Sequence, residues 1–354
     1  MKYYLLLIIS VLLAVTVLAQ PVFPEEVSSY WNKLIGKYSL QCGDHFYLRE
    51  NNGTLEILYN LHEGEEIVGE TLHFNGIDYL IIALKEISEN EYLFTESNFL
   101  GTDRIVFYRN EEGIGLSCKL GKVFYNRRFF GEESFNKEGG FRIEPVKPVK
   151  LLRPEALKAE PPEEEGDFLK PDLVNLKELD DSFLLDIRYA TENNFMGSKM
   201  YELARAYMQR PAAEALVRVN NKLHEYGLGL IVYDAYRPWY VTKLFWDATP
   251  DDMKNFVANP ISGSRHNRGS AVDLGLYDLD TGKPIEMISA FDEFSERAYP
   301  DYPGGTTRKR FLRDLLIEEM KKERFTVYPY EWWHFDYYTW NNYGILNVTF
   351  GDLE

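Results

Sequence analysis

Cysteine is almost absent. The chain of 354 residues has two, Cys42 and Cys118, which is too few for a disulfide-stapled scaffold. Cys118 has no Cys or His close by in sequence and Cys42 has only His45, so neither is a good metal-ligand candidate. They would pair only in an oxidising compartment and only if the fold brings them within bonding distance. Cationic residues are also scarce: 39 Lys and Arg stand against 56 Asp and Glu, a net charge of -17. That balance argues against nucleic acid and anionic membranes as partners, because phosphate binding needs clustered Lys and Arg. Beyond this, an acidic surface reads simply as a soluble one. After residue 19 no stretch approaches the ~20 apolar residues that spanning a bilayer requires, so no membrane span is expected.

The first residues are different. Met1-Lys2 is followed by an apolar run from Tyr3 to Leu18 and by Val17-Leu18-Ala19, the pattern of a cleaved export signal over residues 1–19. The residue at the cleavage point is Gln20, not the cysteine of a lipid anchor. The mature protein is therefore expected from about Gln20 onward, exported and soluble, in the periplasm or outside the cell.

A chain of this length exceeds one ordinary domain of roughly 100 to 200 residues, so two are expected. Residues 24–143 alternate apolar and polar positions in short runs such as Thr54-Leu-Glu-Ile-Leu-Tyr59 and Ile105-Val-Phe-Tyr108, punctuated by Asn51-Asn52-Gly53 and Glu111-Glu112-Gly113. This half reads as a small antiparallel β domain. An aromatic content of 15% fits strands and stacking surfaces. His45, His62 and His73 are scattered through it without ligand spacing and read as loop residues or satisfied side chains. Residues 144–171 are rich in proline and glutamate, as in Glu160-Pro-Pro-Glu-Glu-Glu165, and read as a linker.

Residues 172–354 mix helices with strands. Pro211 suits the first turn of a helix with Ala212, Ala215, Leu216, Val219 and Leu223 on one face and Gly227 at its end. Leu228 to Tyr233 reads as a buried strand, Lys309 to Lys322 as a helix, and Phe325 to Tyr328 with Trp333 to Tyr338 as a hairpin. The expected class is α+β, with helices against an antiparallel sheet.

Two separated pieces of this half read as one mononuclear metal site: Ser264-Arg-His266-Asn-Arg-Gly269-Ser-Ala-Val-Asp273 and Glu331-Trp-Trp-His334. Two imidazoles and one carboxylate leave a fourth metal position for water, and Glu331 supplies a base beside it. Asn-Arg-Gly269 suits a tight turn and Ala271 to Leu276 a strand, so a turn can bring His266 and Asp273 to one point. In a regular strand Glu331 and His334 would face opposite ways; the reading therefore requires a bend or bulge near Pro329. The same donor set would also suit iron in an oxygenase, an alternative that leaves Glu331 without a role. Arg237, at the end of an apolar strand, could donate to an oxygen that becomes negative as water attacks a peptide carbonyl. A salt bridge to Asp234 is the competing account.

These residues are where the chain resembles a known family, the zinc D-alanyl-D-alanine dipeptidases of the VanX type, within the wider group of D,D-peptidases acting on peptidoglycan stems. The resemblance runs over about residues 172 to 345. It includes Leu185-Asp-Ile-Arg-Tyr-Ala-Thr191, Asn194-Phe195, Asp234-Ala-Tyr-Arg-Pro238, Ser264 to Asp273, Phe291-Asp292 and Glu331 to His334. It implies one zinc held by His266, Asp273 and His334, with Glu331 as general base and acid and Arg237 as donor to the transition-state oxygen. It also implies Asp292 as partner of the substrate ammonium and Ser264 as a substrate-binding residue. The implied substrate is a small D,D-dipeptide, with peptidoglycan as the wider partner. Two alternatives stay open: a D,D- or L,D-carboxypeptidase on longer stem peptides, and a non-catalytic wall-binding protein. The β domain and the export signal lie outside the resemblance.

Overall fold

The computed structural model describes residues 22–62, 69–95, 101–130 and 142–354; the export signal expected at residues 1–19 lies outside them. Among the described residues no helix is long and apolar enough to cross a membrane.

The alternating first half becomes a closed barrel. A single-turn helix α1 (Ser29–Asn32) leads into β1 (Gly36–Ser39), β2 (His45–Asn51), β3 (Thr54–Asn60), β4 (Thr71–Phe74), β5 (Ile77–Ser88), β6 (Glu91–Phe94), β7 (Arg104–Arg109), β8 (Gly115–Leu120) and β9 (Val123–Arg128). All pairings are antiparallel. β3 pairs with β5 and β9 returns to β1, so eight strands close on themselves while β4 lies on the flank of β5. Tyr38, Phe46, Leu48, Ile57, Tyr92 and Phe107 pack together in its core, as expected of a barrel narrow enough for side chains to fill. Cys118 is buried in that core and Cys42 is exposed; both are free, so the bridge considered from sequence is not formed. His45 is satisfied, with its ring nitrogens against the Tyr79 hydroxyl and the Gly43 carbonyl. Tyr47, Leu58, Phe74 and Tyr79 are buried in a second, larger core shared with the C-terminal half.

The stretch read as linker is not wholly extended: it carries α2 (Val149–Lys158), which starts after Pro148 and buries Val149, Leu152 and Ala156. Three small apolar positions on one stripe are enough for a helix that packs on a neighbour, and the surrounding prolines masked them.

Beyond it, β10 (Leu173–Asn175), α3 (Leu176–Leu179), β11 (Leu184–Leu185) and β12 (Tyr207–Gln209) precede α4 (Arg210–His224). α4 has the expected proline start, buries Ala212, Ala215, Leu216, Val219 and Leu223, and is followed by Gly227 at φ 74°. Then come β13 (Leu228–Asp234), α5 (Trp239–Ala248), β14 (Ala271–Asp278), α6 (Thr307–Lys322), β15 (Phe325–Tyr328) and β16 (Glu331–Tyr337). The main sheet has the order β11-β13-β14-β16-β15. It is mixed, not wholly antiparallel as expected, because β11 runs parallel to β13; the chain crosses between them through α4, the kind of long connection that parallel neighbours need. α5 had no expectation from sequence because it is apolar on most of its surface, which erases the period that marks a half-exposed helix.

The barrel is clamped to the C-terminal half at two points. The Glu50 carboxylate, 3% exposed as a residue, accepts from the Thr307 amide at 2.7 Å and its hydroxyl at 3.1 Å, at the start of α6. There it meets the orphan N–H groups and positive end of the helix. At the second point Glu296 accepts from Lys37 Nζ at 2.7 Å and from the Tyr47 hydroxyl at 3.2 Å.

Burial alone would raise the Glu296 carboxyl, yet the Lys37 ammonium holds it below its ordinary value. A depressed folded-state pKa stabilises the fold above the unfolded value of ~4.3, and that contribution is lost as pH falls through the folded value. Lys37→Met, which leaves the carboxylate without its cation, should lower stability by about 1–3 kcal/mol at pH 7, measured by denaturant unfolding. The gap to wild type should narrow as the pH is taken below ~4.

Candidate metal centre and active-site cleft

β14 is the ruler of the site. Its Asp273 lies opposite Asp234 of β13 on one side and opposite His334 of β16 on the other. His266 comes from a 3₁₀ turn, Arg265–Arg268, just before β14. Ser264 caps that turn, its hydroxyl accepting from the His266 amide, and Gly269 ends it at φ 72°. An added Cβ at Gly269 would lie 2.5 Å from the side-chain end of Leu173, which can move aside, so it is the positive φ that favours glycine here.

The structure brings His266, Asp273 and His334 together, all buried. His266 Nε2 lies 3.1 Å from His334 Nδ1 and 3.4 Å from Asp273 Oδ1, and His334 Nδ1 lies 2.9 Å from the same oxygen. A tetrahedral metal with bonds near 2.0–2.1 Å has edges of about 3.3 Å. The outer nitrogens fix the tautomers: His266 Nδ1 faces the Ala235 carbonyl at 2.7 Å and His334 Nε2 faces Asp336 Oδ1 at 3.1 Å. Each ring N–H is given to that acceptor, which turns the other nitrogen's lone pair inward. Two lone pairs and a carboxylate oxygen then converge on one point, an arrangement that a divalent cation satisfies. With a proton in its place, burial would lower His334, but Asp273 and Asp336 outweigh it and push the imidazole up to about 10. Burial would likewise raise Asp273, yet the two imidazoles hold it well below the carboxylate range.

The bend required for Glu331 is present. β15 and β16 pair Val327 with Phe335 but Tyr328 with Glu331, so β16 carries extra residues there and Glu331 turns toward His334. Its Oε2 lies 3.8 Å from His334 Nδ1, and its side chain is 39% exposed. The desolvating walls and the charge of Asp273 raise its carboxyl, against the lowering effect of His334.

Arg237 forms the salt bridge to Asp234 that was its competing account. Its Nε and Nη2 donate to Asp234 Oδ2 at 3.1 and 2.7 Å, and the residue also lines the cleft. Burial would lower its pKa, but Asp234 holds it well above the ordinary value. The guanidinium lies over Tyr189 and Phe245, 5.1 and 5.2 Å from their centres. Asp292 has φ 58°, in the left-handed region, and accepts from the Tyr189 hydroxyl at 3.0 Å. Burial and the charges of Asp273 and Glu331 raise its carboxyl well above the usual range.

Arg237, Ser264, His266, Asp273, Asp292, Glu331 and His334 all line one cleft of about 730 Å³. Sequence reasoning missed the residues that hold them. Asp336 grips His334 and is itself ion-paired with Arg265; its position two residues along the same strand was the available signal. Tyr189 lay inside a segment already singled out but without a role. Asn267, fully buried, donates to the Arg237 carbonyl at 2.8 Å and to Thr242 Oγ1 at 2.9 Å and accepts from the Ser264 amide at 2.6 Å, so it ties the His266 turn to α5.

Residues 170–344 match the peptidase family M15, described as D-ala-D-ala dipeptidase. The chain is 33% identical over 168 residues to the D-alanyl-D-alanine dipeptidase of Escherichia coli (strain K12), spanning 47% of this chain and 84% of that one. Against the D-alanyl-D-alanine dipeptidase of Enterococcus faecium it is 34% identical over 171 residues, 42% of this chain and 83% of the other. Against that of Streptomyces coelicolor it is 30% identical over 186 residues, 46% and 90%. The barrel lies outside residues 170–344. With the cleft and its three converging donors inside the matched residues, the chain belongs to the M15 family of metallopeptidase hydrolases, the D-Ala-D-Ala dipeptidases.

Proposed function

We propose that the protein is a zinc-dependent D-alanyl-D-alanine dipeptidase of cell-wall peptide metabolism. The observation that carries this is the convergence of His266, Asp273 and His334, with the Glu331 carboxylate 3.8 Å from one of the ligand nitrogens. His266, Asp273 and His334 would hold one zinc per chain, three protein donors being the number usual for a catalytic zinc. Bound zinc supplies a Lewis acid that brings the pKa of water from ~15.7 toward ~7. Glu331 accepts the proton of the attacking water, and its raised carboxyl suits it to hand that proton to the leaving amine. Arg237 has given Nε and Nη2 to Asp234; Nη1 remains for the carbonyl oxygen as it becomes negative. Asp292 is a half-buried carboxylate in the cleft with no ion pair among the described residues, and the substrate ammonium would supply its cation. Ser264 keeps its hydroxyl proton for the substrate while its oxygen caps the His266 turn.

The N-terminal residues support an exported protein, working on peptidoglycan-derived peptides in the periplasm or outside the cell. A wall-binding protein with a structural metal fits less well, because a closed site needs four ligands and no base. One observation favours a second reading, a D,D- or L,D-carboxypeptidase on longer stems: the cleft is roomier than a dipeptide needs.

Glu331→Gln should retain stoichiometric zinc, measured by atomic emission, and lose about a hundred- to ten-thousandfold in kcat; full turnover with full metal would remove Glu331 from the role of base. Chelation should abolish activity and added zinc restore it. Amine release from D-Ala-D-Ala should far exceed that from N-acetyl-D-Ala-D-Ala or a stem pentapeptide, and preference for the blocked or longer substrates would move the protein to the carboxypeptidases. Asp292→Asn, which tolerates the same backbone, should raise KM for the free dipeptide more than for the acetylated one.

A further inference from the structure

The cleft is larger than the proposed substrate. At the ~30 Å³ that a water molecule occupies in the liquid, a dipeptide of about eleven heavy atoms fills less than half of it. The barrel bounds part of the remainder. Its contribution to the lining is Asn75, which with Gly76 makes the two-residue turn between β4 and β5. Their φ values are 51° and 77°, the doubly positive turn that Asn-Gly favours in hairpins.

The tip is firmly seated. Phe74 beside it is 2% exposed and packs on Tyr299 and Tyr302, with ring centres 6.2 and 5.9 Å away. Glu296, in the same segment as Tyr299, is the residue gripped by Lys37 and Tyr47 of the barrel. From Tyr299 the rings continue through Tyr330 at 5.5 Å and Tyr328 at 5.7 Å to His334 at 5.4 Å. A line of aromatic contacts thus joins the tip to the edge of the metal centre. The cleft wall runs from Asp292 through Glu293, Phe294, Ser295 and Glu296 to Tyr299, so the tip, seated on Tyr299 through Phe74, meets the far end of the wall that begins at Asp292. Among the described residues no hydrogen bond ties down the exposed Asn75 amide.

We propose that the β4–β5 hairpin is a specificity wall of the active site, with Asn75 limiting what extends from the amino end of the substrate. The barrel and the peptidase domain then set substrate length together. The inference rests on the dipeptidase reading with Asp292 at the amino end.

The test uses the full mature chain with its zinc content determined. Asn75→Gly keeps the positive φ and removes the side chain; Asn75→His enlarges it with a residue that still tolerates that backbone. The readout is kcat/KM for D-Ala-D-Ala, N-acetyl-D-Ala-D-Ala and the carboxyl-extended D-Ala-D-Ala-Gly. The acetylated-to-free ratio should rise about tenfold in Asn75→Gly and fall in Asn75→His, while the carboxyl-extended-to-free ratio stays constant. Unchanged ratios in both variants, or all three substrates moving together, would overturn the wall. If free D-Ala-D-Ala is not cleaved at all, the dipeptidase reading fails separately. The wall is then tested by the stem pentapeptide against N-acetyl-D-Ala-D-Ala, with the same opposite movements expected.

Discussion

One hydrogen-bonded register carries the site: Asp273 held opposite Asp234 on one neighbour strand and opposite His334 on the other. Side chains alternate along a strand, so a slip of one residue in β14 would carry Asp273 to the opposite face of the sheet. The register is secured by the buried row Val272, Leu274 and Leu276, which belongs to the large core and is 0% exposed throughout. Hydrophobic burial thereby fixes a polar geometry that would not assemble by itself, since its three inward atoms are all acceptors. A metal bound at these donors would support the fold in turn, because its binding energy would stabilise the sheet.

Around that row each functional group is held by a partner that also holds another. Asp234 anchors Arg237 and accepts from Tyr201 at 2.6 Å. Asp336 joins His334 to Arg265, whose guanidinium lies between Tyr328 and Trp340 at 5.2 and 5.0 Å. Asn267 ties Ser264 to Arg237. Shared anchors of this kind restrict each side chain to one position before substrate arrives, which is where most of the benefit of a preorganised site lies.

That His266, Asp273, His334 and Glu331 would meet, and that a bulge is needed for it, was legible in the sequence because few chemistries use His, Asp and Glu at such spacings and because a period of two forbids Glu331 and His334 from sharing a face of a flat strand. α4 was legible from its period and its proline. α5 was not, since an element buried nearly all round has no polar side to mark it. The parallel placement of β11 and the closure of β3 on β5 escaped for a different reason: alternation records which face of a strand is buried and nothing about which edges meet. The reach of Asn75 into the cleft depends on that closure, so no local pattern could announce it. Asp336 and Tyr189 were visible as residues but their roles are created by register and packing.

The cap that Glu50 places on α6 has a consequence for the order of assembly. The two residues are 257 positions apart, so the last long helix receives its N-terminal partner from a strand made near the beginning of the chain. Contacts of such sequence separation close late, after their loop entropy has been met by other interactions. The barrel, whose strands pair mostly with their neighbours in sequence, is free to form first and present Glu50 as a finished surface on which the peptidase half completes itself.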